Sequence, residues 1–469
     1  MKRTAYNKRF GISGGVGSQK HLCKLESFPP VQTAVSRHLR QAAARYLQAE
    51  ESTADKDVQQ GKTCKAVRVG EIRSCPTRIR DLEMKKAIGI LVIILLTVAG
   101  CRESKQSTDD FITIDVAKKY PKKELILQDF MDVEYIALET TDGFITQSSI
   151  LDIGKEIILV RNNTNDGDIF VYDKSGKGLR KFNHMGQGPE DYGNLAGSYV
   201  TLDEENKEIL INNFMSRQTT VYDLYGNFVR RFSQSEGVRY ATLRNFDREY
   251  LIGKATSMSF DETATESQPF AIISKKDGSI VHDIRIHFEK AINTRISSLD
   301  GGFVVFLDFS TNLIIPFRDS WILAEFSSDT LYRLLPDFSL TPFIARTPSV
   351  HSTDPEIICL PILFTDRYCF LETFKRESEY SKKKLIYDLQ ENTIHNYTVI
   401  NDDYSTKKTL EFSTFNSNKT IAFWQKIEAH ELIELNQKGE LKGALKEIAS
   451  KLVAEDNPVI MLVKHKQYK

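Results

Sequence analysis

The chain has 469 residues, and its 63 Lys and Arg are balanced by 63 Asp and Glu. The charge is unevenly placed, because residues 1–83 carry 16 basic and 8 acidic side chains whereas residues 101–469 carry 45 and 55. A body with this acidic excess has no surplus positive charge for the phosphates of a nucleic acid. We therefore exclude nucleic acid as a partner.

Residues 1–83 form a basic leader that precedes the first recognisable targeting signal. A secretory signal normally begins a protein. The simplest hypothesis is therefore that translation starts at Met84 and that the leader is upstream sequence read as protein. A disordered cytoplasmic leader kept before an internal signal is the alternative.

Residues 84–100 are predicted to be a lipoprotein signal peptide. Lys85 and Lys86 form a basic start, and the uncharged run Ala87–Gly100 follows. This run is shorter than the roughly 20 residues that a membrane-spanning helix needs. Its end, Leu-Thr-Val-Ala-Gly-Cys, resembles the lipobox of bacterial lipoproteins. The resemblance implies cleavage before Cys101 and lipid attachment, including palmitate, on its thiol. A short anchor that is never cut is the alternative reading.

The polar residues 101–110 are predicted to be a tether between the membrane and a folded body at 111–469. Only two of the six cysteines, Cys359 and Cys369, lie deep in this body. Two are too few for a disulfide framework. We interpret them as unrelated buried thiols, and a bridge between them is the alternative.

The body has short apolar runs, rich in β-branched and aromatic residues and separated by turn residues, which predicts an all-β fold. Residues 171–182 and 221–232 match at an offset of 50, and residues 272–281 form a weaker third copy. Each copy predicts a β-hairpin with Gly176, Gly226 or Gly278 in the turn. A period near 50 is a propeller-blade length, and the body has room for about six to seven such units.

Several segments resemble a known family, the six-bladed β-propeller lipoproteins of Bacteroides-type bacteria, which are similar in style to NHL-repeat propellers. The segments that carry the resemblance are Val133–Thr140, Ile169–Gly176, Gly186–Tyr192, Asp329–Leu334 and Glu455–Leu462. The resemblance implies a six-bladed β-propeller from about Phe111 to the end of the chain. It also implies a location in the cell envelope, as an outer-membrane lipoprotein on either the periplasmic or the surface face.

The C-terminal residues predict one helix and a closing strand. Leu441, Leu445, Ile448 and Leu452 follow helical spacing near residues 440–455. Residues 459–463 then have the composition of a strand. We expect this strand to join an N-terminal strand at about 133–138 in one blade, which would close the ring.

One loop combines residue types that serve in catalytic and metal sites. His184 precedes the run Gly186–Pro189, and Glu190, Asp191 and Tyr192 follow it. These four side chains are the candidate surface-loop site. A structural loop whose glycines and proline fix the backbone is the alternative, and we favour it.

The sequence contains no catalytic, phosphate-binding or calcium-binding signature. We predict no cofactor, no metal and no catalytic residue. The predicted function is a binding or assembly module, held at the membrane by its N-terminal lipid. The partner could be an envelope protein, a peptide or a glycan. A propeller hydrolase or lyase is the alternative, because an axial site can be assembled from single residues of separate blades.

Overall fold

The computed structural model describes residues 111–466, apart from residues 148, 163–165, 235–237, 256–265, 293–294, 298–303, 307–312, 377–381 and 413–417. The basic leader, the signal peptide, Cys101 and the tether lie outside the described residues. The expectations for them therefore stay predictions. The described residues belong to a single compact unit.

The body begins with three strands and a single helical turn. They are β1 (Ile112–Asp115), β2 (Lys122–Ile126), α1 (Leu127–Phe130) and β3 (Met131–Ala137). These strands do not pair with one another, because each joins a different sheet farther along the chain.

The next twelve strands form three antiparallel four-stranded sheets, each following the order of the chain. The first sheet contains β4 (Ser149–Ile153), β5 (Ile157–Arg161), β6 (Ile169–Asp173) and β7 (Gly178–Phe182). The second contains β8 (Ser198–Asp203), β9 (Glu208–Asn213), β10 (Gln218–Asp223) and β11 (Phe228–Ser233). The third contains β12 (Tyr240–Asn245), β13 (Tyr250–Ala255), β14 (Glu266–Ser274) and β15 (Ile280–His287).

The fourth and fifth sheets each gain a parallel outer strand from the N-terminal segment. After a two-stranded pair, β16 (Arg295–Ser297) and β17 (Val304–Phe306), the fourth sheet contains β18 (Ile314–Phe317), β19 (Ser320–Leu323), β20 (Thr330–Leu334) and β21 (Leu340–Thr347), with β1 outside β21. The fifth contains β22 (Ile357–Phe364), β23 (Tyr368–Lys375), β24 (Lys382–Asp388), β25 (Thr393–Asn401) and β26 (Lys408–Leu410), with β2 outside β25.

The sixth sheet closes the ring. It contains β27 (Ile421–Ile427), β28 (Val459–His465) and β3, and the helices α2 (Ala429–Gln437) and α3 (Gly443–Ala449) lie between β27 and β28 in the chain. Strand β28 pairs antiparallel with β3, so that Val459 faces Ala137 and Val463 faces Val133. The predicted closure of one blade by both ends of the chain is therefore confirmed.

The protein is a six-bladed β-propeller, as the sequence predicts. The burial of its strands follows from this arrangement. The second and third strands of a blade lie between neighbouring blades, so runs such as Ile157–Val160 and Ile169–Tyr172 are buried on both faces. The outermost strand β7 instead alternates between partly buried and exposed positions, and only Phe182 at its end is buried, as expected for a half-covered strand.

The repeated hairpins have the predicted turn chemistry. Gly176, Gly226 and Gly278 have φ angles of 88°, 90° and 76°. Asp173 accepts hydrogen bonds from the backbone N–H groups of Ser175 and Lys177 at 2.9 and 3.0 Å. These bonds keep the turn closed, and the hydrogen bond from the Ser175 hydroxyl is the main cause of a lowered pKa at Asp173.

The predicted C-terminal helix is present but shorter than its sequence pattern. Leu445 is buried in α3, whereas Leu441 lies before the helix and Leu452 lies after it. Helix α2 was not predicted. Only Ala429 and Leu432 are buried in it, which gives too few apolar positions for a helical period to be visible.

Cys359 on β22 and Cys369 on β23 are free thiols. They lie on neighbouring strands, but Cys359 pairs with Thr373 and Cys369 pairs with Phe364. Burial raises the pKa of Cys359 to about 11 and raises that of Cys369 as well. Both thiols therefore stay protonated and unreactive at neutral pH. Within the described part of the chain, no helix is long and apolar enough to cross a membrane.

Candidate functional site

A cavity of about 970 Å³ lies at the axis of the propeller. The first strand of each of the first three blades borders it, because β4 contacts β8 and β8 contacts β12 around the axis. The turn before β27 completes the wall on the side of the sixth blade. Its volume is within the range of pockets that hold small molecules.

Asp152 is a carboxylate of this cavity whose pKa is strongly raised. A β-bulge between Ile150 and Asp152 shifts the register of β4 at this point, as bulges often do beside functional residues. One carboxylate oxygen accepts the N–H of Ile153 and the other accepts the N–H of Leu202, each at 2.8 Å. Burial raises the pKa of Asp152 to about 6, although these two N–H groups and Arg244 oppose the rise.

Tyr199 and Arg244 come from the next two inner strands and lie near Asp152. Burial raises the pKa of Tyr199, and the positive charge of Arg244 opposes this rise. The Tyr199 hydroxyl makes no hydrogen bond to any residue that the structure describes. Arg244 is 6% exposed. Asp152, Tyr199 and Arg244 thus bring ionisable side chains from the inner strands of three consecutive blades to the same cavity.

Glu204 fixes the shape of the cavity mouth. It accepts hydrogen bonds from the backbone N–H groups of Lys155, Glu156 and Ile157 at 2.5, 2.8 and 3.0 Å. This carboxylate therefore ties the turn of the first blade to the turn of the second. A Cβ atom at Gly154 would lie 2.3 Å from the Glu204 carboxyl group, so the contact requires glycine there.

The cavity rim is charged but balanced. Its exposed charged residues are three acidic and three basic side chains: Glu156, Glu205, Asp247, Lys155, Arg248 and Lys419. Deeper in the wall, the Asp203 carboxylate is neutralised by the Lys275 ammonium at 2.5 Å, and both side chains are buried. With Glu204, whose carboxylate is engaged by three backbone N–H groups, the mouth has four acidic and three basic side chains, so its charges nearly balance.

The four residues of the candidate surface-loop site lie on the connection between β7 and β8, where three of them hold the loop together. The His184 ring stacks on Tyr222 with ring centroids 5.0 Å apart, and its Nε2 atom lies 2.8 Å from the Gly226 carbonyl oxygen. The Tyr192 hydroxyl bonds to the Gly167 carbonyl oxygen and also accepts the N–H of His184.

The other two loop candidates do not join these in a site. The Asp191 carboxylate accepts the N–H of Gly188 at 2.7 Å, and it occupies the space that a Cβ atom at Gly186 would need. The Glu190 side chain is exposed, and its backbone carbonyl accepts the hydroxyl of Tyr222. These contacts explain the Gly-Gln-Gly-Pro run by loop geometry, and the functional reading of this loop stays a prediction.

The sequence did not lead to a prediction of Asp152, Tyr199 or Arg244 as site residues. Asp152 lies between two apolar residues, Leu151 and Ile153, whereas the strands that hold Tyr199 and Arg244 contain further polar residues. The sequence therefore offers only a weak signal for these positions, and it does not show which strands meet. In the described residues, no group of three or more His, Cys, Asp or Glu side chains has the arrangement of a metal site.

Residues 111–464 match the family model described as a domain of unknown function, DUF4934. The chain belongs to this family. The match begins just before β1 and ends within β28, so the DUF4934 domain of this chain is the whole propeller, including the strand that closes it.

Solved structures with some likeness to this DUF4934 chain have low sequence identity. A Bacteroides fragilis protein, provisionally described as exported, is 14% identical; the alignment covers 76% of this chain and 100% of that one, with a TM-score of 0.46. A DUF4221 family member from Bacteroides vulgatus is 9% identical, with 73% and 100% covered and a TM-score of 0.39. The virginiamycin B lyase of Staphylococcus aureus is 8% identical, with 71% and 99% covered and a TM-score of 0.31. No curated protein matches the sequence.

Proposed function

We propose that this protein is an envelope lipoprotein, anchored at Cys101, whose propeller binds a small polar ligand in the axial cavity. The observation that carries the proposal is the convergence of Asp152, Tyr199 and Arg244 on one cavity of about 970 Å³. Pockets of this kind combine apolar walls with a few convergent polar groups. The lipobox-like sequence before Cys101 supports the anchor.

An enzyme acting in the same cavity is the second candidate. Asp152 has a pKa of about 6, which is close to neutral pH and suits a group that both gives and takes a proton. This observation favours the hydrolase or lyase alternative over an enzyme site on the His184 loop, where the ring is already engaged by Tyr222 and Gly226.

The anchor is tested by labelling cells with radioactive palmitate. The native chain should incorporate the label, and Cys101→Ala should abolish it and leave uncut precursor. Cys359→Ala is the matched control, because it removes a free cysteine of the propeller and leaves the lipobox-like sequence intact, and labelling should be unchanged. If Cys101→Ala protein is still labelled, the anchor proposal is wrong.

The cavity is tested by thermal unfolding of the detergent-solubilised chain with a library of saccharides, short peptides, nucleosides and organic acids. A ligand of the folded state raises Tm. Leu151→Trp should remove the shift because the added ring fills the cavity, whereas Leu179→Trp on the exposed face of β7 should keep it. If no compound raises Tm, or if Leu151→Trp keeps every shift, ligand binding in the cavity is refuted.

The enzyme candidate is separated from simple binding by incubating each confirmed ligand with the protein and analysing the products by mass spectrometry. If Asp152→Asn keeps the Tm shift but stops product formation, the protein is an enzyme. An unchanged ligand after long incubation with the native protein supports the binding module.

A further inference from the structure

We infer that the ligand of the axial cavity is an uncharged oligosaccharide. This inference rests on the proposed binding function and names its ligand class. It follows from the charge balance of the cavity, from the hydrogen-bonding groups that remain available in it, and from the way three strands supply those groups.

The charges of the cavity argue against an ionic ligand. The exposed rim carries three acidic and three basic side chains, and the carboxylate of Glu204 beside them is already engaged by three backbone N–H groups. In the wall, the positive charge of Arg244 acts on the negative charge of Asp152, and the Asp203 carboxylate is paired with Lys275. A charged ligand would lose its hydration without meeting a surplus of opposite charge, which is costly in a buried site.

The hydrogen-bonding groups that remain available suit hydroxyl groups. The Tyr199 hydroxyl has no partner among the described residues, so it can donate one hydrogen bond and accept others. Each oxygen of Asp152 accepts one backbone N–H and keeps a further lone pair. A sugar hydroxyl can donate to Asp152 and either donate to or accept from Tyr199, so it satisfies both without adding charge.

The distribution of these groups over separate strands suits a compact ligand better than a peptide. An extended peptide is usually bound by a regular row of hydrogen bonds along one strand edge. Here the polar groups come from three separate strands, β4, β8 and β12, and from the turns that follow them, and apolar side chains such as Leu151, Leu243 and Trp424 lie among them. Polar groups on separate strands, with apolar side chains between them, fit a ring with hydroxyl groups at its edge and C–H groups on its faces.

The test is isothermal titration of the detergent-solubilised full chain with panels of neutral oligosaccharides, acidic oligogalacturonides and short peptides. The neutral panel contains cello-, xylo-, manno-, malto- and chito-oligosaccharides. At least one neutral series should bind, with a Kd that changes little between low and high NaCl, because no ionic contact is screened. Binding by acidic sugars or peptides alone would overturn the oligosaccharide inference and leave the binding function intact.

Two tyrosine variants locate the binding. Tyr199→Phe removes only the hydroxyl group and should raise Kd about tenfold, the usual effect of losing one hydrogen bond. Tyr172→Phe removes a buried hydroxyl that bonds the Phe144 carbonyl oxygen outside the cavity, so Kd should not change. Equal Kd values for native and Tyr199→Phe protein would overturn the inference. If no panel binds and no library compound raises Tm, the binding function fails with it.

Discussion

Protonation of Asp152 should make the stability of the propeller depend on pH in a predictable direction. Burial raises the pKa of this carboxyl group from 3.8 to about 6, so the folded protein binds its proton more tightly than the unfolded chain. The stability from this group is therefore fully present below about pH 4 and is lost as the pH rises through about 6. A pKa difference of one unit between the folded and unfolded states changes the free energy of unfolding by about 1.4 kcal/mol. The rise from 3.8 to about 6 therefore corresponds to a contribution from Asp152 of about 3 kcal/mol.

The variant Asp152→Asn isolates this contribution, because asparagine does not titrate. Its amide also places a donor against one of the two backbone N–H groups that the carboxylate accepts. That mismatch costs about 1–3 kcal/mol at every pH. The free energy of unfolding of the native protein, minus that of the variant, should therefore fall by about 3 kcal/mol between pH 4 and pH 7.

The assay is equilibrium unfolding in urea at pH 4, 5, 6 and 7, followed by tryptophan fluorescence, for both proteins. The control is Asp142→Asn, which removes an exposed carboxyl group that does not line the cavity, so that burial plays no part in its effect. If the free energy of unfolding of the native protein, minus that of Asp152→Asn, stays constant or rises with pH, burial does not raise the pKa of Asp152.

Three further predictions concern the ring, a hairpin and the loop. Ile460→Ala, at a fully buried position of the closing strand, should lower the free energy of unfolding by about 2–5 kcal/mol in urea. Gly176→Ala should lower Tm, because its Cβ atom would lie 2.0 Å from a backbone oxygen and its φ angle of 88° disfavours a side chain. Gly143→Ala is the control and should leave Tm unchanged, because its Cβ atom would meet nothing within 4 Å. His184→Ala should lower Tm by removing a stacked ring and its hydrogen bond, while Glu190→Gln should leave Tm unchanged; the opposite ranking would contradict the structural reading of the loop.

The propeller was predictable because its signals repeat. The hairpins at Gly176 and Gly226 carry the same turn residues at the same spacing, and local turn chemistry is readable without knowing the fold. The pairing of residues 133–137 with 459–463 was also predictable, because a ring needs one blade that joins both ends of the chain. The parallel addition of β1 and β2 to the fourth and fifth blades was not predicted, since short strands carry no sign of their partners.

The axial site was not predictable residue by residue. Asp152 is one carboxylate among many in the sequence, and its raised pKa comes from burial and from neighbours on other blades. Its position also depends on a bulge in β4, which follows from pairing with β5 rather than from local sequence. His184 and Asp191, by contrast, formed a visible motif, and the structure gives most of that motif a role in holding the loop.

Closure of the sixth blade also ties the completion of folding to the order in which the chain is synthesised. Val133 and Val463 face each other in the finished sheet although 330 residues separate them in the chain. The ribosome therefore makes β3 long before its partner, and this strand must wait unpaired while the intervening blades are synthesised. Contacts over such distances form slowly. The final step of folding depends on the last residues to be made, so a chain that stops short of β28 leaves the ring open and two blade faces uncovered.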